Sequence, residues 1–269
     1  MDAKPKRFIS SVFFLIVSFC TSALAQLGLV VGLVAVGWRH FDRPIAGLSV
    51  ACCYLLLPYS RFALVDGGQL VPAALIVTAI LVYRKPTLAG ALIGLASGWM
   101  PAIIGLLPLW TGFYRGRGAI RFISVALGVL GSCLVFAVFV PGMSEWANAL
   151  GARSLKEAGL WPTVEAPATG SFWSGIDASY RLPVWIAYLA LVIATTFWPA
   201  EKNLGELIST SAALLIASQF WYLAAGGTLV LLYLPLVILM VFRPTISPRR
   251  PFPSRPRRER SSRAVGTHT

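Results

Sequence analysis

The residues of this chain with chemistry to offer are few. Asp66-Gly67-Gly68-Gln69 is a polar cluster opening an otherwise apolar stretch. There Asp66 is a general base, a metal ligand or a helix N-cap, the last because its carboxylate accepts from first-turn N–H groups, and Gly67-Gly68 reads as a turn. Asp177 and Glu165 lie in the longest polar segment, as acid/base residues or as solvated loop acids. With only His40 and His268 as histidines, a Ser/His/Asp triad lacks its material. Cys20, Cys52, Cys53 and Cys133 sit inside apolar runs with no C-x-x-C spacing, so they read as buried thiols packed as small hydrophobes. No Walker loop, Gly-rich dinucleotide fingerprint, HExxH or G-x-S-x-G with partners is present.

These residues must be positioned by an unusually apolar chain. Of 269 residues, 57% are hydrophobic and 12% charged, against about 45–50% and about 25% in a soluble domain. The mean hydropathy of +0.74 agrees. That balance excludes a soluble α/β enzyme and a disordered or fibrous protein, and it predicts a polytopic membrane protein. Apolar runs span 8–37, 45–60, 70–83, 87–99, 101–113, 122–140, 183–199, 207–223 and 228–242. None alternates with period two, so helices rather than a β-barrel are expected. The fold class is thus all-α, with about seven to nine hydrophobic helices, several shorter than the ~20 residues of a full span. Pro58, Pro72, Pro101, Pro108 and Pro235 are expected to interrupt them.

The charges give an orientation. The net charge is +13, and residues 243–269 hold eight arginines against Glu259 alone. This Arg/Pro-rich tail is expected to be disordered and cytoplasmic, held by topology and anionic lipid rather than by nucleic acid. Arg39 with Arg43, Arg84 with Lys85, and Arg115, Arg117 and Arg121 should be cytoplasmic connections as well. Residues 1–242 then form one helical transmembrane domain of the cytoplasmic membrane, with the 61–69 connection and the 141–182 loop at the outer face. The stretch 87–113 lies between two basic connections and is too short for two ordinary spans, which predicts a bent hairpin turning at Met100-Pro101. At the N-terminus, Lys4-Lys6-Arg7, an apolar run and Ala23-Leu24-Ala25 resemble a secretory signal. Because the run resumes at Leu27, an uncleaved segment is expected. Its flanking charges require either a second bent hairpin over 8–37 or an N-terminus outside.

Three stretches then carry a resemblance. Asp66-Gly67-Gly68-Gln69 is followed by an apolar helix, by Tyr83-Arg84-Lys85-Pro86-Thr87-Leu88-Ala89-Gly90-Ala91-Leu92-Ile93-Gly94-Leu95-Ala96, and by Trp99-Met100-Pro101 with Leu107-Pro108-Leu109. This order resembles the GT-C superfamily of polytopic, polyprenyl-phosphate-sugar-dependent glycosyltransferases, in its bacterial mannosyltransferase-like branch. Ala217-Ser218-Gln219-Phe220-Trp221-Tyr222 and Leu234-Pro235-Leu236 resemble that branch's late region. The resemblance covers roughly 45–125 and, more weakly, 207–242. Two departures stand out. The family's Lys at the hairpin tip is Met100 here, and a thioether cannot pair with a phosphate as an ammonium does. The family's catalytic acid follows its first span, whereas nothing between Phe8 and Trp38 is ionisable. The chain resembles the C-terminal two-thirds of such a protein.

The resemblance implies hexose transfer from a polyprenyl-phosphate donor at the outer face, with no cofactor beyond a divalent metal that the residues neither require nor exclude. Asp66 and, less directly, Asp177 are its candidate bases, and Gln69, Gly68, Arg181 and Trp99 its candidate substrate contacts. It also implies a protein partner supplying the missing N-terminal part. Two alternatives belong to other classes. One is a non-catalytic membrane scaffold or lipid-binding subunit; the other is a small-solute transporter, which the scarcity of ionisable residues inside the spans disfavours.

Overall fold

The computed structural model describes residues 4–41, 43–59, 67–114, 116–139, 180–199, 202–221 and 229–242. Among the described residues there are nine α-helices and no strand. They are α1 (Lys4–Phe41), α2 (Pro44–Leu56), α3 (Gly67–Leu81), α4 (Pro86–Trp99), α5 (Leu106–Tyr114), α6 (Gly116–Phe139), α7 (Arg181–Phe197), α8 (Leu204–Ser218) and α9 (Val230–Phe242). A 3-10 turn over Pro101–Gly105 joins α4 to α5. The 243–269 tail and residues 140–179 of the long loop lie outside the described residues.

Local sequence explains most helix ends. Proline opens α2, α4 and the 3-10 turn, a position whose N–H has no intrahelical partner in any case. At the start of α8 the Asn203 backbone N–H donates to Glu206 Oε2 at 3.0 Å, one arm of a capping box. Three of the expected proline interruptions are corrected. Pro72 and Pro235 lie inside α3 and α9, and Pro108 is the third residue of α5. All three fall in the first two turns, where a proline removes at most one i→i−4 bond and the remaining ladder holds.

The N-terminal alternatives also resolve. One helix of 38 residues, α1, runs through 8–37 without a turn, so no second hairpin forms there. Its only proline, Pro5, sits in the first turn, where it breaks nothing. Residues 4–7 therefore stand at the opposite end of α1 from Arg39.

Pairwise contacts set the helix directions. Gly37 and Gly47 meet backbone to backbone and the Tyr54 hydroxyl lies 3.4 Å from Gln26 Oε1, so α2 runs antiparallel to α1. His40 Nε2 donates to the Leu81 carbonyl at 2.9 Å, and Gly32 faces Val77, so α3 runs parallel to α1.

The most extensive packing joins α4 to α6. Gly90, Gly94 and Gly98 recur every fourth residue and so share one face of α4. A Cβ on them would stand 2.6 Å from the Phe122 carbonyl oxygen, 2.5 Å from that of Ala126 and 2.7 Å from Cys133 Cβ. The residue numbers rise together, so α4 and α6 are parallel and nearly in backbone contact, as small-xxx-small faces permit. Two parallel helices so close in sequence need a return path, which the 3-10 turn and α5 provide. The Tyr114 hydroxyl closes it by donating to the Tyr83 carbonyl at 2.5 Å. The 87–113 stretch thus leaves the bundle at the end where it entered, turning where Met100 goes extended (φ −137°, ψ 111°).

The bundle has two unlike ends. One gathers His40, Tyr83, Arg84, Phe113 and Tyr114: the His40 and Tyr83 rings lie 5.0 Å apart, and Arg84 stacks 5.9 Å over Tyr83. There Lys202 Nζ donates to the Thr196 carbonyl at 2.7 Å. This basic end also carries exposed Arg39, Arg43 and Lys85. The opposite end holds the last turns of α2, α4 and α8 and the first turn of α3. Among the described residues, Phe19–Phe41 and Gly118–Phe136 are long and apolar enough to cross a membrane, by length and composition.

Candidate functional site

At the end opposite the arginines, α3 begins at Gly67, so the Gly68 and Gln69 N–H groups belong to its first turn, whose acceptors come from outside the helix ladder. The α4 helix arrives there from the basic end. Its last residue, Trp99, donates Nε1–H to the Gly68 carbonyl at 2.9 Å. That bond ties two motifs thirty-one residues apart and fixes the start of α3 against the hairpin tip. Gln69 is buried beside it, at 6% exposure. Next comes Met100, 7% exposed, whose N–H still donates to the Ala96 carbonyl at 2.9 Å while its own carbonyl accepts from Ile103 at 3.1 Å. The helix therefore ends at Met100, and Pro101, with no N–H, cannot extend its ladder.

Of the residues singled out from sequence, the fold brings together Gly68, Gln69 and Trp99. Asp66 and Asp177 lie outside the described residues, as does Glu165. Arg181 opens α7, and its side chain is likewise outside the description. Among the described side chains, the cations Arg39, Arg43, Arg84, Lys85, Arg121 and Lys202 belong to the other end, so none of them stands at this cluster. Among the described residues no group of three or more His, Cys, Asp or Glu comes together as a metal site. The thiols are less enclosed than expected: Cys20 and Cys52 are exposed, Cys53 and Cys133 half-buried. Cys20 and Cys52 lie on faces that the described bundle leaves uncovered, whereas Cys133 meets Gly98 of α4 and Cys53 packs against the core.

The structure adds residues that sequence reasoning passed over. The Tyr188 hydroxyl of α7 presses on Gly105 at the end of the 3-10 turn, in the space a Cβ would need. Tyr188 is buried, and its ring lies 5.3 Å from that of Trp221. Deeper in, Trp110 Nε1 donates to Ser211 Oγ at 3.3 Å, linking α5 to α8. Trp221 falls within the late stretch already singled out by the resemblance, whereas Tyr188 and Trp110, isolated aromatics in apolar helices, carry no spacing signal. What the cluster offers a ligand is a helix start, a carboxamide, an indole and a thioether, all neutral. Comparison with protein-family models, with curated proteins and with solved structures gives no match.

Proposed function

We propose that this chain is a multi-pass protein of the cytoplasmic membrane, basic end and C-terminus inward, and that it acts as a GT-C-like glycosyltransferase. In this reading it takes a hexose from a polyprenyl-phosphate donor at its outer end. The membrane part rests on exposure: only 11% of the Gly118–Phe136 window is buried, unlike the core helix of a soluble protein. Leu24, Leu27, Ile120 and Leu127 stand more than half exposed on the long helices, a surface suited to hydrocarbon. Helix hydroxyls at Thr78, Ser97, Thr111 and Thr196 donate back one turn to carbonyls, as low-polarity surroundings favour. The N-terminus of α1 then lies outside, against its own charges.

The observation carrying the transferase reading is the Trp99–Gly68 hydrogen bond, which joins the two best-matched motifs of the resemblance into one cluster. Hexose transfer there needs a carboxylate to deprotonate the acceptor hydroxyl and a group to stabilise the leaving phosphate. Asp66, the residue before α3, is the proposed base, with Gln69 and Arg181 facing the phosphate. The test is transfer of labelled hexose from its polyprenyl phosphate by purified protein in vesicles. Asp66→Asn should lower the rate by about 10²–10⁴, whereas loss of a helix cap alone costs about 1 kcal/mol of stability. Full activity in Asp66→Asn removes Asp66 as the base.

One observation favours a second reading. Met100 is neutral and buried at the hairpin tip, where the family places an ammonium. A lipid-binding or scaffolding subunit needs no such charge. Wild-type protein that binds the polyprenyl phosphate yet transfers nothing, alone or with its membrane partners, would establish that role instead.

A further inference from the structure

Two helix corners at the basic end are built alike. The α1–α2 corner carries Trp38-Arg39 and then Arg43-Pro44, and the α3–α4 corner carries Tyr83-Arg84 and then Lys85-Pro86. In each, the incoming helix gives way near an aromatic–arginine pair and the outgoing helix opens on a proline behind a cation. Arg43 and Lys85 thus stand at N-cap positions, where an acceptor such as Ser or Asp is the usual residue and a cation opposes the helix dipole. Local helix stability does not explain that choice.

The fold joins the two corners. His40 Nε2 donates to the Leu81 carbonyl at 2.9 Å, which ties the end of α1 to the end of α3. The charges of Arg39 and Arg84 both reach the His40 ring, so arginines from separate corners flank one imidazole. Arg84 is held in place: its guanidinium lies 5.9 Å over the buried Tyr83 ring, which His40 and Phe113 meet edge-on. Arg39, Arg43, Arg84 and Lys85 are all exposed. Against these four cations the corners contain one acid, Asp42, which lies outside the described residues. No carboxylate among the described residues pairs with any of the four. Like charges gathered on a fixed frame repel unless an anion comes between them.

Exposed apolar side chains stand directly beside these charges: Trp38 on α1, Ile45 and Leu48 on α2, and Leu88 on α4. In the membrane reading the cations therefore lie at the edge of the hydrocarbon, in the plane of the inner-leaflet headgroups. We propose that the seam between the α1–α2 and α3–α4 corners binds an acidic phospholipid of the inner leaflet, its phosphate bridging Arg39 and Arg84. Arg43 and Lys85 stand to either side, and the acyl chains follow the exposed apolar faces of α1 and α2. A choline headgroup would bring a further cation into the seam, and a soluble phosphate has no chains for the apolar flank. The lipid is held rather than consumed, and by neutralising the seam it clamps one hairpin to the other. The proposal rests on the membrane reading, needs no transferase activity and lies at the opposite end from the Gly68–Trp99 cluster.

Full-length protein in phosphatidylcholine vesicles tests it, with trace phosphatidylglycerol or phosphatidylcholine bearing a diazirine near the headgroup. The buffer holds about 0.5 M salt, so that charges on the arginine tail are screened beyond roughly 4 Å. Adducts within 36–48 and 82–90 should favour the phosphatidylglycerol probe by at least about fivefold, the attraction of one basic residue near a membrane surface. Combining Arg39→Gln with Arg84→Gln should remove most of that preference. Combining Arg115→Gln with Arg121→Gln, equal in charge and at the same end, should leave it. Equal losses would overturn the site in favour of net charge alone. Should the first double variant lose its helical circular dichroism, Arg39→Gln and Arg84→Gln singly decide the matter, each with a partial loss. Unlabelled phosphatidylglycerol should compete; competition by glycerol 3-phosphate would overturn the lipid as occupant. Equal labelling by both probes, in protein that resists alkaline carbonate, would end this inference and leave the membrane reading intact. Protein stripped from the vesicles by carbonate would end both.

Discussion

Gly94→Ala should weaken the fold, although alanine is the better helix former. A Cβ at Gly94 would stand 2.5 Å from the Ala126 carbonyl oxygen and 3.0 Å from its Cα. Restoring an ordinary contact of 3.4 Å requires α4 and α6 to part by about 0.9 Å. Both neighbours are backbone, so no side chain can swing aside. Overpacking of this kind costs about 1–3 kcal/mol, and the gain in helix propensity returns roughly 1. A net loss of up to about 2 kcal/mol remains, which at about 2–4 °C per kcal/mol lowers the melting temperature by up to roughly 8 °C. Gly128 and Gly131 lie on the same helix pair but meet nothing within 4 Å, so alanine there should hold or raise it. The assay is thermal unfolding in vesicles, followed by circular dichroism. Gly94→Ala melting at or above Gly128→Ala would refute the parallel backbone contact.

Gly98 faces a side chain, so Gly98→Ala should destabilise and a second change, Cys133→Gly, should recover most of the loss, read as a coupling in the same unfolding assay. Gly105→Ala would press a Cβ onto the Tyr188 hydroxyl and should cost about 1–3 kcal/mol in the same assay; a neutral result would mean that α7 does not close on the 3-10 turn. Gly116 sits at φ 59°, so Gly116→Ala should cost about 1–2 kcal/mol despite open space around it, and a neutral result would mean the turn is not left-handed. With the basic end inward, a cysteine at Lys85 should resist an impermeant maleimide added outside intact cells while one at Ser171 reacts; the reverse pattern would invert the topology.

Much of the helical layout is legible because it rests on composition and on proline. Met100-Pro101 marks the break, since the proline ring disfavours helix at Met100, and the flanking basic connections put both ends of 87–113 on one side, where Tyr114 meets Tyr83. The same reasoning overreads Pro72 and Pro235, because a proline in the second turn of a helix deletes a single bond. The Gly90-Gly94-Gly98 spacing is visible in the sequence, but its partner is not: nothing local says that the stripe meets α6 in parallel. For the candidate site, Gly68, Gln69 and Trp99 could be named from motif order alone. Their joining bond could not, since it depends on how far α4 travels before it stops. Tyr188 and Trp221 are long-range neighbours with no periodic signature.

The parallel contact between α4 and α6 has a consequence for biosynthesis. Ribosomes deliver α4 and α5 well before residues 122–133, and neither is long enough to cross a bilayer by itself. Until α6 emerges, the glycine face of α4 has no companion, so the hairpin cannot settle segment by segment as an ordinary pair of spans would. It must wait at the insertion machinery, or beside α1 and α3, for about twenty more residues to arrive. Nascent chains arrested before Ala126 should therefore remain extractable by alkaline carbonate or open to protease within 87–113, and chains arrested well beyond Phe139 should not. Early protection of the hairpin would mean that α4 finds its membrane position without α6.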